Sequence, residues 1–200
     1  MSALIETGIL QREGKVSNIF DSFTPGGSFM DVPYTLPHEY IKFYWDKYQN
    51  CSYRDNNVGG KIFENVIYTL LYRENILPFY TQAKVAFVPN VEFDTILYSR
   101  ANPVCLSIKT SLRERYKQAD LEAIALKYVH RKAQSFLLTL EQTEAKRVQE
   151  KIPQGLLIGL DAVIDCNTEQ IDELIERLRT FDFCESTKIE VVEGNLVKVH

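Results

Sequence analysis

The run Val104-Cys105-Leu106-Ser107-Ile108 is apolar enough for a buried strand, yet it ends in Lys109 and passes at once into the charged segment Thr110-Ser111-Leu112-Arg113-Glu114-Arg115. In an extended chain, side chains alternate between faces, so Cys105, Ser107 and Lys109 share one face and Val104, Leu106 and Ile108 the other. Lysine is rarely buried without a partner. A lysine closing a core strand therefore either reaches solvent or meets an acid, and the second case dictates what lies across from it.

The sequence offers three acids. Two strand-like runs, Gln82–Val88 and Val91–Ser99, are divided by Pro89-Asn90, and Asp94 sits in the middle of the second, where aspartate has poor propensity. If that strand and the next form an antiparallel hairpin turning between Arg100 and Ala101, paired positions sum to 201 and Asp94 faces Ser107, beside Lys109. Upstream, Asn56–Gly60 reads as a loop, and Lys61–Asn75 as an amphipathic helix with Ile62, Phe63, Val66, Ile67, Leu70 and Leu71 inward. Glu64 shares a stripe with Ile67 and Leu71, so its carboxylate lies at the edge of the apolar face and needs a partner. Downstream, Ser111 and Glu114 have capping-box spacing and predict a helix over Leu112–Lys132. On it Arg115, Gln118 and Glu122 form one stripe, with Arg113 on another. A helix rising ~1.5 Å per residue brings Glu122 back about 16 Å from the cap, to the level of Asp94 and Ser107.

The rest of the chain predicts a helix over Pro37–Gln49, whose Tyr40, Phe43, Tyr44 and Tyr48 read as packing residues. A buried strand over Gln134–Leu140, a helix over Thr143–Lys151 and a last core strand over Leu156–Cys166 follow. Asn167-Thr168-Glu169-Gln170 forms a second capping box and opens a helix with Ile171, Leu174, Ile175 and Leu178 inward. Lys188–Val192 and Leu196–His200, around Gly194-Asn195, predict a terminal hairpin. Helix, three strands, then helix, strand, helix, strand, helix is an α/β order, with a mixed central β-sheet flanked by helices. Residues 1–57 read as an N-terminal extension, a dimerisation element or DNA-facing arm, and 58–200 as the core domain with a C-terminal helix and hairpin.

Net charge is −4, but it is unevenly spread. Lys109–Lys132 carries seven bases against three acids, and Asp161–Glu193 ten acids against three bases. A basic stretch in an acidic chain allows local phosphate contact while limiting nonspecific adhesion. Cys51, Cys105, Cys166 and Cys184 are too far apart for a Cys-x-x-Cys pair and read as free thiols of a reducing compartment. With no apolar run of bilayer length and no secretion signal at the start, a cytoplasmic protein without a membrane association is expected.

A helix with Glu64, a strand with Asp94, a strand ending Ser107-Ile108-Lys109 and a helix starting Leu112-Arg113-Glu114-Arg115 resemble the restriction-endonuclease-like nucleases, the PD-(D/E)XK superfamily, over residues 60 to about 165. The resemblance implies a restriction-endonuclease-like fold and a Mg²⁺-dependent DNA endonuclease (Mn²⁺ substituting) that acts on double-stranded DNA. Among these the likeness is to Type II restriction enzymes working as homodimers, with Holliday-junction or repair nucleases of the same fold as the alternative. It assigns Asp94 as central metal ligand, Lys109 as the residue that orients or deprotonates the attacking water, Glu64 as a helical acid and the Ile108 carbonyl as a further ligand. Arg113, Arg115 and Gln118 become phosphate contacts on the nucleic acid or structural partners of the site. Two positions depart from the pattern: Phe93 precedes Asp94 where proline is usual, and Ser107 stands where an acid is expected. Some restriction enzymes with Ser-x-Lys draw the second acid from the following helix, which points to Glu122. Three readings stay open: Glu122 as the second ligand, Asp94 with Glu64 alone, or a degenerate site on a nucleic-acid-binding module.

Overall fold

The computed structural model describes residues 2–187 and 191–198. A six-stranded mixed sheet, ordered β5-β4-β3-β2-β1-β6, forms the middle layer. It comprises β1 (Phe79–Val85), β2 (Phe93–Leu97), β3 (Val104–Ile108), β4 (Gln134–Thr139), β5 (Ala162–Asp165) and β6 (Val191–Val197). β1–β2, β2–β3 and β1–β6 are antiparallel, while β3–β4 and β4–β5 are parallel, each parallel step crossing through a helix. Those helices are α5 (Arg115–Val129) and α6 (Gln142–Gln149). They share one face of the sheet, where Tyr116, Ala119 and Ala123 pack with Ala145, Val148, Leu137 and Val163.

The opposite face carries α1 (Ala3–Glu6), α2 (Lys15–Ser22), α3 (Pro37–Gln49), α4 (Asn56–Arg73) and α7 (Glu169–Leu178). There Leu97, Val104, Leu106, Ile108 and Phe136 of the sheet bury Ile62, Phe63, Val66 and Leu70 of α4 and Ile171, Leu174, Ile175 and Leu178 of α7. Leu4, Phe20, Phe29, Tyr40 and Tyr44 belong to the same core, and the 57/58 position lies in the first turn of α4. Tyr40, Tyr44 and Tyr48 are packing residues, all buried, with Tyr44 stacked on Phe20 at 4.5 Å. All four cysteines are free thiols. Among the described residues no helix is long and apolar enough to cross a membrane.

Several expectations are corrected. The segment Asn56–Gly60 is helix rather than loop. The Asp55 side chain accepts the amides of Asn57 and Val58, and Gly59 lies under the Tyr48 ring, where a Cβ would sit 3.0 Å from the phenol oxygen. Glycine is therefore what allows α4 to start against α3. The Ser111–Glu114 capping box does not form. Glu144 of α6 accepts the Leu112 amide at 2.7 Å and the Arg113 amide at 3.3 Å, so α5 starts only at Arg115. The strand expected from Leu156 begins at Ala162, because the preceding loop is drawn onto the Asp120 carboxylate. Gly194 and Asn195 are not a turn but lie inside β6, which pairs with β1. Asn195 there donates to the Gly8 and Ile9 carbonyls. Residues 188–190 and 199–200 of the expected hairpin lie outside the described residues.

Candidate active site at the carboxyl end of β3

The β2–β3 pairs Thr95↔Leu106, Ile96↔Cys105 and Leu97↔Val104 each sum to 201, and one rung further Asp94 stands across from Ser107. Asp94 Oδ2 accepts two hydrogen bonds, from Lys109 Nζ at 2.6 Å and from the Ile108 amide at 2.7 Å. The Lys109 amide instead donates to the Leu138 carbonyl of β4. Because consecutive peptide groups of a strand alternate sides, the amide and carbonyl of Ile108 both leave β3 toward β2 and Asp94. The ion pair is enclosed, with 17% of the Lys109 side chain and 13% of the Asp94 side chain exposed. The awkward lysine has met an acid.

Two further carboxylates flank this pair from opposite layers. Glu64, on α4, has a side chain 13% exposed, and its Oε2 accepts from Lys61 Nζ at 2.8 Å and Gln82 Nε2 at 3.4 Å. One turn on, the Tyr68 hydroxyl donates to the main-chain carbonyl of Asp94 at 2.9 Å, fixing α4 to β2. Burial pushes the Glu64 carboxyl up; Lys61 and Lys109 oppose this, while Asp94 adds to it. Glu122, on α5, accepts from Gln118 Nε2 at 2.7 Å. Burial likewise holds its carboxyl above the usual range, with Gln118 and Lys109 lowering it and Asp94 raising it. Both acids thus feel Asp94 and Lys109, one from each side of the sheet.

The carboxylates surround the ion pair rather than converge: among the described residues no group of three or more His, Cys, Asp or Glu stands close enough to hold a metal ion. The donor chemistry nevertheless suits a hard divalent cation. Among the described residues every hydrogen bond to the Asp94 carboxylate falls on Oδ2, to that of Glu64 on Oε2 and to that of Glu122 on Oε1. The partner oxygen of each takes no donor among the described residues, and none of the three is among the buried atoms left without a partner there. Ser107 Oγ is different: the residue is 5% exposed and its hydroxyl has no hydrogen-bond partner among the described residues. An unsatisfied buried hydroxyl next to Asp94 is a ready oxygen donor, in the place where an acid was expected.

Of the other residues singled out from the sequence, Arg113 and Arg115 are exposed on the segment that follows Lys109, and Gln118 is exposed with its amide bound to Glu122. Cys105 shares the sheet face of Ser107 and Lys109; burial pushes its thiol up, and the nearby Asp94 and Glu122 push it further. Sequence reasoning missed Gln82 and Tyr68. The only trace of Gln82 is a polar residue inside an apolar strand, and Tyr68 reads simply as helix core.

The raised carboxyls give a stability signature. An acid whose folded pKa lies above its unfolded value binds more proton when folded, so the metal-free protein loses stability as pH rises from the ordinary glutamate value of 4.5 through the folded value. Urea unfolding in EDTA at pH 5 and pH 7.5 measures it. Wild type is expected to be less stable at pH 7.5 than at pH 5 in this respect, and Glu64→Gln to reduce that difference. An unchanged difference would mean that Glu64 is not desolvated.

No protein-family model, curated protein or solved structure matches this chain. What the geometry defines is an α/β chain with a mixed sheet flanked by helices, carrying an enclosed Asp–Lys pair at the carboxyl end of a central strand.

Proposed function

We propose that this chain is a Mg²⁺-dependent DNA endonuclease of restriction-endonuclease-like fold, most similar to a Type II site-specific enzyme. The observation that carries the reading is the Asp94–Lys109 pair where β2 and β3 meet, flanked by Glu64 and Glu122. Phosphodiester hydrolysis needs positive charge on the phosphate and an oriented water, and a divalent cation when bound supplies charge neutralisation and a more acidic water. Asp94, Glu122, Glu64 and the Ile108 carbonyl are the groups that would hold it. Lys109 presents N–H donors beside Asp94, where they orient the attacking oxygen or bear on the phosphate. Arg113 and Arg115, exposed just beyond, contact the DNA backbone and set position rather than sequence. Cutting both strands of a palindromic site calls for two such sites related by a twofold axis, hence a homodimer on double-stranded DNA.

The test is incubation with plasmid and phage DNA in Mg²⁺ or Mn²⁺. Discrete fragments support the restriction reading, and nicking confined to branched DNA moves the assignment to a junction or repair nuclease. No cleavage with any divalent ion, together with retained DNA binding, makes the chain a binding module. That second reading is favoured by the unconverged carboxylates and by Ser107. Glu122→Gln and Glu64→Gln separate the ligand sets. If Glu122 is the second ligand, its substitution lowers cleavage by on the order of a hundredfold and raises the metal requirement, with a smaller effect at Glu64. The reverse order transfers the role to Glu64.

A further inference from the structure

We propose that Gln82 is a positioning residue of the metal site, holding Glu64 toward Asp94 through a left-handed kink in β1; the inference rests on the metal-dependent reading above. Gln82 lies inside a strand yet has φ 50°, a region that non-glycine residues rarely adopt. The β1–β6 ladder shifts register between Thr81 and Lys84, on either side of it. The β1–β2 pairs Tyr80↔Ile96, Thr81↔Thr95 and Ala83↔Phe93 place Gln82 across from Asp94.

Alternation also breaks at this rung. Tyr80 and Ala83, three residues apart, pack in the same apolar cluster, as do Phe93 and Ile96 of the neighbouring strand. Regular strands put such residues on opposite faces. Both strands therefore change face at Gln82 and Asp94, and the kink frees the Gln82 carboxamide to reach α4, where Nε2 lies 3.4 Å from Glu64 Oε2 and close to the Tyr68 hydroxyl. The bond falls on the same oxygen as Lys61, so it directs the other oxygen of Glu64 away from the protein donors. Strained backbone beside a proposed site, with its side chain bound to a proposed ligand, is the pattern of pre-organisation.

The experiment compares wild type with Gln82→Gly, which relieves the backbone and deletes the amide, and Gln82→Leu, which keeps the bulk and deletes only the amide. Mn²⁺ binding is read by the electron paramagnetic resonance signal of the free ion, and thermal unfolding is measured without metal. Both variants are expected to bind Mn²⁺ roughly tenfold more weakly. The glycine variant melts at or up to roughly 4 °C above wild type. Cleavage at saturating Mn²⁺ recovers in both. Binding equal to wild type in both variants overturns the assignment of Gln82 alone. A loss of binding that merely follows a loss of melting temperature overturns it too, since that is what a structural role predicts. If wild type itself binds no Mn²⁺, the metal-dependent reading falls and takes the inference with it.

Discussion

Asp94→Asn is expected to lower DNA cleavage on the order of a thousandfold while the protein stays folded. The asparagine carbonyl can still accept the Ile108 amide, so the β2–β3 junction keeps one of the two bonds that end at Oδ2. What disappears is the negative charge that faces Lys109 and would face a cation. Asp94→Ala is a poorer test, because it leaves an enclosed ammonium without its partner. Breaking a buried pair from one side costs about 3–5 kcal/mol, so inactivity there is confounded with unfolding. Lys109→Met approaches the same question from the other side: it removes the charge, keeps the bulk, and leaves Asp94 bonded to the Ile108 amide. Single-turnover cleavage of a plasmid, with circular dichroism melts of each variant, makes the measurement. A wild-type rate in Asp94→Asn or Lys109→Met would sink the site assignment.

The site was legible in the sequence to the extent that strand alternation and hairpin register govern it. Placing Cys105, Ser107 and Lys109 on one face requires only the period of a strand, and the 201 register follows once the hairpin is taken to turn between Arg100 and Ala101. Both rules are local, and the structure follows them. Helix starts were less legible because tertiary partners decide them. Ser111 and Glu114 have the right spacing for a capping box, but Glu144, over thirty residues away, takes the amides of Leu112 and Arg113 between them, and the helix starts only after Glu114. Likewise Gly59-Gly60 reads as a loop until the Tyr48 ring is seen to occupy the space that a side chain at Gly59 would need. The kink at Gln82 leaves no mark at all, because a positive φ at a residue other than glycine, asparagine or aspartate is imposed by what surrounds it. Of the fold, element order discloses the α/β class and the mixed sheet; position of the three acids in space depends on how α4 and α5 seat on opposite faces.

The seating of α5 makes Asp120 the residue whose loss should cost most in stability. Asp120 is 7% exposed, and its carboxylate accepts three consecutive amides of the loop before β5: Ile158 at 3.4 Å, Gly159 at 2.7 Å and Leu160 at 3.0 Å. Gly159 belongs to the same joint, since a Cβ there would overlap the Asp120 carbonyl and approach the Ile124 amide to 2.7 Å. Asp120→Ala therefore strands buried donors and opens a gap together, an expected loss of about 3–5 kcal/mol. Asp120→Asn, which keeps one acceptor oxygen of the same shape, is expected to lose less, and Gly159→Ala to be destabilising because backbone must move. Urea unfolding distinguishes these outcomes, with a lower midpoint at an unchanged slope marking a true loss of stability. Asp120→Ala within about 1 kcal/mol of wild type would mean that the loop finds other acceptors and that α5 is held by its apolar face alone. Since Glu122 lies two residues along the same helix, the comparison also bears on the site. If Asp120 anchors α5, Asp120→Asn weakens cleavage less than Glu122→Gln does, because the anchor sets where the helix rests whereas Glu122 would bind the ion itself.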